Sequence, residues 1–155
     1  MNAVDAKPIE IFNTLIGINN NRIECYRFVT KQTDSGVLRS LFSRLAETSL
    51  FYNEMLATEV YKIGGKPQSG TLSNPAFFAS WLKMHSALMR NDKPALVEAC
   101  YEAERAAIYT YHDMIVQNED FLNTVQLEII KELYELITVD FSRVCNLRSV
   151  YKTAA

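Results

Sequence analysis

The distribution of glycine and proline constrains the fold of this chain most strongly. Only five glycines and four prolines occur in 155 residues, and five of these nine fall between residues 64 and 75. Because glycine and proline are the residues that interrupt regular backbone, the segments on either side of this stretch can form long helices. The sequence therefore predicts an all-α fold with one principal break.

Apolar residues recur at helical spacing in four long segments and in one short segment inside the break. The four long helices are expected at about residues 9–31, 37–63, 93–117 and 122–150. Pro8 is expected in the first turn of the first helix. Short turns make the first and last helix pairs antiparallel neighbours. We predict a single domain, residues 1–155, folded as an all-α bundle of four helices. Its long connection, residues 64–92, contains a short helix and has the length of the crossover in a ferritin-like bundle.

The bulk properties exclude several classes of protein. The net charge is −2 and no basic stretch occurs, which gives no reason to expect a nucleic-acid partner. No apolar run reaches 18 residues, so no membrane partner is expected. The first residues, MNAVDAKPIEIF, lack the pattern of a signal peptide, which favours the cytoplasm. The three cysteines, Cys25, Cys100 and Cys145, form no C-x-x-C motif and are expected as small apolar residues in a reducing compartment.

Several polar residues fall on the apolar faces of the predicted helices. Asn19 lies in the first helix, Glu104 in the third and Asp140 in the fourth. A buried polar group must find a partner or lose stability. We therefore predict a buried polar layer comprising Asn19, Tyr26, Ser49, Tyr52, Glu104, Tyr111 and Asp140. These residues either satisfy one another and fix the helix register, or enclose a remnant cavity that holds water, a cation or a small molecule.

Four stretches of the chain carry a family resemblance. They are INNNRIECY (18–26), LFSRLAETSLFYNEM (41–55), GGKPQSGTL (64–72) and NDKPALVEACYEAERAA (91–107). Together they resemble an uncharacterised bacterial family of the ferritin-like superfamily. The resemblance implies a ferritin-like four-helix bundle with a crossover helix, and it implies no established activity.

The metal site typical of ferritin-like bundles lacks its sequence signature here. A di-iron centre takes a glutamate from each of two helices and a Glu-x-x-His pair from each of the other two. No Glu-x-x-His occurs, and the chain has only two histidines, His85 and His112. The carboxylates that remain as metal-ligand candidates are Glu24, Glu104 and Asp140. No cofactor is expected, and iron or another divalent metal on these residues is the alternative.

These observations favour a non-enzymatic protein that acts by self-association or by binding a protein partner. A homodimer through exposed apolar helix faces is expected. A second apolar stripe on the first helix, which contains Ile18, Cys25, Phe28 and Val29, is a candidate face.

Two alternatives come from other functional classes. One is a metal-binding or oxidoreductase-type ferritin relative with a degenerate carboxylate site. The other is a small-ligand carrier that uses the polar interior. Tyr101, Tyr109 and Tyr134 lie off the buried faces and are assigned to an interface or the surface. The arginines, Arg22 among them, are dispersed, and no site is assigned to them.

Overall fold

A computed structural model describes residues 3–154 of the chain, with side-chain environments for residues 6–153. The described residues contain no strand and form five α-helices: α1 (Ala3–Gln32), α2 (Gly36–Lys62), α3 (Pro75–Met89), α4 (Lys93–Asn118) and α5 (Thr124–Ala154). A single 3-10 turn, Glu119–Phe121, joins α4 to α5. The prediction of an all-α fold is confirmed. No helix in this part of the chain has the length and apolarity needed to span a membrane.

The four long helices surround one buried interior, and α3 packs outside it against α4 and α1. The turn at residues 33–35 brings α2 back along α1. Asn53 of α2 donates a hydrogen bond to Asn20 of α1 at 2.9 Å. The fully buried side chains of Phe12, Leu45 and Leu133 come from α1, α2 and α5. The interior is therefore built jointly from helices that are distant in sequence.

The starts of three helices are capped by short polar side chains. Ser35, Asn74 and Asp92 each accept a hydrogen bond from the backbone N–H three residues further on. Each bond satisfies one of the free donors at a helix start. At the other end of α2, Gly64 has a φ of 80°, a left-handed conformation that glycine adopts without steric cost.

The first helix begins earlier than predicted. Pro8 was expected in its first turn, but α1 is already helical from Ala3, and Pro8 lies inside it. A proline near a helix start removes one main-chain hydrogen bond. Pro8 is buried, and burial of its ring acts against that loss.

The inward face of α5 also differs from the simplest helical reading. Val125 would face inward if the inward residues of α5 followed the usual spacing of three to four residues along a helix. Instead it is 61% exposed, and Gln126 is buried. The cause is a reciprocal cap at the start of α5. The Gln126 N–H donates to Asn123 Oδ1 at 2.8 Å, and the Asn123 N–H donates to Gln126 Oε1 at 3.0 Å. This capping box holds Gln126 inward and turns Val125 to the outside.

The second apolar stripe of α1 is covered within the chain. Cys25 Sγ lies 3.8 Å from Met84 Sδ of α3. The ring of Phe28 meets Trp81 edge to face, with centroids 5.0 Å apart, and stacks on His85 at 5.8 Å. The stripe indicates a further packing partner, and α3 of the same chain is that partner for Cys25 and Phe28 rather than a second subunit.

The segment between α2 and α3 runs along α1, and we call residues 66–73 the strap. Asn13 donates to the carbonyl of Lys66 at 3.0 Å and accepts from the N–H of Gln68 at 2.8 Å. Asn20 donates to the carbonyl of Gly70 at 2.9 Å. Side-chain amides of α1 therefore hold the main chain of the strap.

The last residues of the strap are held most closely. Asn21 donates to the carbonyl of Leu72 at 2.9 Å and accepts from its N–H at 2.8 Å. A β-carbon placed on Gly17 would lie only 3.1 Å from the β-carbon of Leu72. The absence of a side chain at Gly17 thus lets the strap approach the helix.

Candidate functional site

The centre of the interior is occupied by a fully buried arginine, Arg22 of α1. Its Nε donates to Glu104 Oε2 at 2.8 Å, and its Nη2 donates to Glu104 Oε1 at 2.7 Å. The same Nη2 lies 3.3 Å from Asp140 Oδ2. The two-pronged contact with Glu104 is the geometry that a planar guanidinium and a carboxylate favour. Arg22 thereby joins α1 to both α4 and α5.

Three hydroxyl groups complete the partners of the two carboxyls. Tyr26 donates to Glu104 Oε2 at 2.9 Å. Tyr52 and Thr48 of α2 donate to Asp140 Oδ2 at 2.8 and 2.7 Å. We call Arg22, Glu104, Asp140 and these three donors the buried polar network. It takes at least one side chain from each of the four long helices.

A second pair lies on the same face of α1. Tyr111 donates to Asn19 Oδ1 at 2.9 Å, and both side chains are fully buried. Asn19 Nδ2 and Arg22 Nη1 have no acceptor among the described residues, although both atoms are buried. Because Asn19 and Arg22 are three residues apart on one helix, these two free donors belong to the same side of α1.

The structure brings most of the predicted polar layer together. Tyr26, Tyr52, Glu104 and Asp140 belong to the buried polar network, and Asn19 and Tyr111 form the neighbouring pair. Ser49 is buried but stands apart, since its hydroxyl donates to the carbonyl of Leu45 in its own helix at 2.7 Å. Glu24, the third candidate metal ligand, is exposed on the outer side of α1.

Sequence reasoning missed Arg22 and Thr48. Arg22 lies three residues after Asn19 and four before Tyr26, and these spacings place all three on one helix face. Two carboxyls predicted inside the core also require a cationic partner. Together these signals single out Arg22. Thr48 gives no comparable signal, because a threonine beside a buried face is common.

Burial and neighbouring charges determine the protonation states of the groups in the buried polar network. Burial alone would lower the pKa of Arg22, but the charge of Glu104 and its hydrogen bonds outweigh burial and raise that pKa well above its ordinary value. Burial, reinforced by the charge of Glu104, raises the pKa of Tyr26. Burial and the charge of Asp140 do the same for Tyr52. Arg22 therefore stays charged, and both phenols keep the protons that they donate.

The position between Glu104 and Asp140 does not fit a di-iron centre. The Arg22 guanidinium already holds both oxygens of Glu104 and one oxygen of Asp140. A pair of metal ions needs several free carboxylates and imidazoles. In the described part of the chain, no three His, Cys, Asp or Glu side chains are grouped so that they could hold a metal ion.

The interior thiols are poor nucleophiles. Burial, followed by the charge of Glu104, raises the pKa of both Cys25 and Cys100. A thiol attacks as its thiolate, and this form is disfavoured at both positions. Within the described residues the interior therefore offers protonated thiols and a close ion pair in which one guanidinium nitrogen, Arg22 Nη1, has no acceptor.

Among the open depressions on the outside of the described helices, two are large and carry several aromatic side chains. The first, of about 930 Å³, runs over α4 between α3 and α5, and we call it the α4 groove; its walls carry Tyr101, Tyr109, Tyr134 and Phe141. The second, of about 570 Å³, lies between α1, the end of the strap and the start of α3, and we call it the α1–α3 wedge. Both are separate from the buried polar network.

These features define an all-α protein in which a buried arginine–carboxylate network joins the four long helices. The chain belongs to the family described as Domain of unknown function (DUF2383), which matches residues 7–117. The matched range includes Arg22 and Glu104 and ends before α5, which carries Asp140. No curated protein and no solved structure matches the chain.

Proposed function

We propose that this chain is a non-enzymatic, ferritin-like four-helix-bundle protein of the bacterial cytoplasm that acts by forming a homodimer. In this proposal, residues 64–92, which include α3, form the crossover of the ferritin-like fold. The bundle carries no intact di-iron site, and its working surface is the α4 groove rather than its interior.

The arrangement of Arg22 supports a structural role for the interior. Its guanidinium satisfies both carboxyls that would otherwise be the obvious metal ligands. A buried ion pair with further hydrogen bonds can fix one helix register against others, because a shifted register leaves a charge unpaired. The network thus serves the fold.

The composition of the α4 groove is the single observation that carries the proposal of self-association. Small residues, Ala76, Ala79 and Ala106, line it together with tyrosines. Tyr109 is 68% exposed. Tyrosine is enriched in protein interfaces, where its ring contributes a large apolar area and its hydroxyl a hydrogen bond. A protruding tyrosine beside small residues suits contact with a second protein surface.

The charges of the groove favour a second copy of this chain as the occupant. Glu102 and Arg105 both line the groove, three residues apart on α4. Glu102 already forms an ion pair with Lys83 of the same groove at 2.9 Å, so an arginine of a second copy would share this carboxylate with Lys83. In a two-fold interface each patch contacts its own equivalent. An antiparallel pairing of the two α4 helices would place Glu102 opposite Arg105 of the partner subunit, and the reverse.

The oligomeric state of matched variants tests this proposal. Tyr109→Glu places a charge in the groove, whereas Tyr61→Glu changes a tyrosine of equal exposure, 67%, on α2. Sedimentation equilibrium is expected to give a dimer for the unmodified chain and for Tyr61→Glu, and a monomer for Tyr109→Glu. A monomer for the unmodified chain at high concentration, or equal dimerisation of both variants, contradicts the proposal.

Metal analysis tests the other half of the proposal. Protein purified without chelators is expected to contain only trace iron, manganese or zinc. A near-stoichiometric metal that disappears in Glu104→Gln, with helical circular dichroism retained, would contradict the structural role of the network and favour a metal-binding relative.

A further inference from the structure

The α1–α3 wedge has the dimensions of a small-molecule site. Its volume of about 570 Å³ falls within the range of about 300–1,000 Å³ typical of ligand pockets. One wall is the outer side of α1, with Glu24 and Cys25, and the other is the first two turns of α3. Leu72 of the strap also lines the wedge.

Aromatic side chains supply the apolar part of the wedge. Phe77, Phe78 and Trp81 all line it. Phe77 is buried, whereas Phe78 is 59% exposed. Trp81 is held in place by its edge-to-face contact with Phe28. A positioned tryptophan and an exposed phenylalanine are the groups that attract cations through the faces of their rings.

The charge in the wedge has one sign. Among the residues that line it, Glu24 alone carries a formal charge. No Lys, Arg or His nitrogen of the described residues lies within 4 Å of the Glu24 carboxylate. A carboxylate without a cationic partner, next to aromatic rings, favours a ligand with a positive charge.

The start of α3, which also lines the wedge, does not offset this preference. A helix start can bind an anion through its free N–H groups, but few are free here. Pro75 has no N–H. The N–H groups of Phe77 and Phe78 are bonded to the side chain and the carbonyl of Asn74. The local cap therefore satisfies the donors that an anion would need.

We propose that the α1–α3 wedge binds a small organic cation whose ammonium nitrogen carries apolar substituents. The rings of Phe78 and Trp81 contact the substituted ammonium group, and Glu24 supplies the opposite charge. The wedge and the α4 groove share Asn74 at the start of α3, but the groups that would bind the cation, Phe78, Trp81 and Glu24, do not line the groove, so the two proposals are tested separately.

The chain contains its own reporter for this site. Trp81 is the only tryptophan in the sequence, so intrinsic tryptophan fluorescence reports on the wedge. The 155-residue chain is titrated with three molecules that share a head of three methyl groups on one central atom. They are the cation choline, the neutral neopentyl carbinol (3,3-dimethylbutan-1-ol) and the anion tert-butylacetate (3,3-dimethylbutanoate). Ionic strength is held constant with potassium chloride.

Choline is expected to bind saturably and roughly tenfold more tightly than neopentyl carbinol, because only the cation gains from the ring faces and from Glu24. Glu24→Gln is expected to weaken choline binding roughly threefold, the scale of an exposed charge pair, and to leave the neutral compound unaffected. Glu54→Gln, which changes an exposed glutamate of α2, is the matched control and should behave as the unmodified chain does. Equal binding of choline and neopentyl carbinol, tighter binding of tert-butylacetate, or no saturable change with choline would each overturn the proposal.

Discussion

Arg22 and Glu104 form a two-pronged ion pair in which both side chains are completely buried. The same two residue types form a second two-pronged pair at the surface. There, Arg148 Nε and Nη2 lie 2.6 and 3.0 Å from the two oxygens of Glu98. The chain therefore contains two pairs of like chemistry and geometry that differ in burial.

Loss of the buried arginine is expected to be severe. Arg22→Met removes the cation and leaves the carboxyls of Glu104 and Asp140 buried without it. Breaking a buried pair in this way costs about 3–5 kcal/mol in the free energy of unfolding. Urea denaturation followed by circular dichroism measures the loss. Arg148→Met, in the partly exposed pair, should lose a smaller amount, which includes the contact of Arg148 with the Tyr101 ring, and equal losses would contradict the assigned roles.

Removal of one hydroxyl from the network should have a smaller effect. Tyr52→Phe takes away one of three donors to Asp140 Oδ2. Because Thr48 and Arg22 remain, the expected loss is that of a single hydrogen bond, about 1 kcal/mol. The same change at the exposed Tyr61 serves as the control and should leave the urea midpoint unchanged. Equal midpoints for the two variants would show that the Tyr52 hydroxyl contributes nothing to stability.

The protein is expected to lose stability at alkaline pH. Burial raises the pKa values of Cys25, Cys100, Tyr26 and Tyr111 above the ordinary values of 9.0 for cysteine and 10.0 for tyrosine. A raised pKa means that the folded state holds its proton while the unfolded state loses it. The contribution of each group is therefore complete below its ordinary pKa and declines as pH rises above it. Each titrating group steepens the decline by about 1.4 kcal/mol per pH unit.

Urea unfolding between pH 8 and pH 11, with a reductant present, measures this decline. Cys100→Ala removes one titrating group. It should lower stability at every pH, because a buried side chain becomes smaller, and should make the decline above pH 9 shallower. A stability that stays constant up to pH 11 would contradict the assigned burial of these groups.

The strap should depend on the side-chain amide of Asn21. Asn21→Asp keeps the acceptor for the Leu72 N–H but loses the donor to the Leu72 carbonyl, and a carboxylate would face that carbonyl instead. We expect faster hydrogen exchange of the Leu72 amide and faster proteolytic cleavage within residues 66–73. Asn146→Asp, at an exposed position of α5, is the control. Unchanged exchange at Leu72 would mean that the Asn21 contacts do not hold the strap.

Much of the helical architecture could be predicted from local signals. The caps at Ser35, Asn74 and Asp92 and the break at Gly64 mark helix ends through chemistry that acts within a few residues. The start of α1 could not be placed in this way, because Pro8 resembles a first-turn proline and is tolerated further inside the helix. The observed inward face of α5 differs from the predicted one because the Asn123–Gln126 cap determines which residue of the first turn faces inward.

The two carboxyls at the centre of the polar layer were predictable, whereas its cation and its full set of members were not. Inward-facing spacing identified Glu104 and Asp140, because a carboxyl on an apolar face is conspicuous. The cation between them is less conspicuous, because the arginines are scattered along the sequence and only the helix face of Arg22 distinguishes it from the others. Ser49 was included on spacing alone, although a serine inside a helix can satisfy its hydroxyl with the carbonyl of its own preceding turn.

The attachment of the strap has an evolutionary consequence. The asparagines of α1 contact main-chain atoms of the strap, and main-chain atoms are the same whatever residue carries them. Exposed positions such as Gln68, Ser69 and Thr71 are therefore free to drift while the path of the chain is kept. Thr71 and Ser73 border the α1–α3 wedge, so relatives can vary its rim, and with it any ligand preference, without altering the helices beneath.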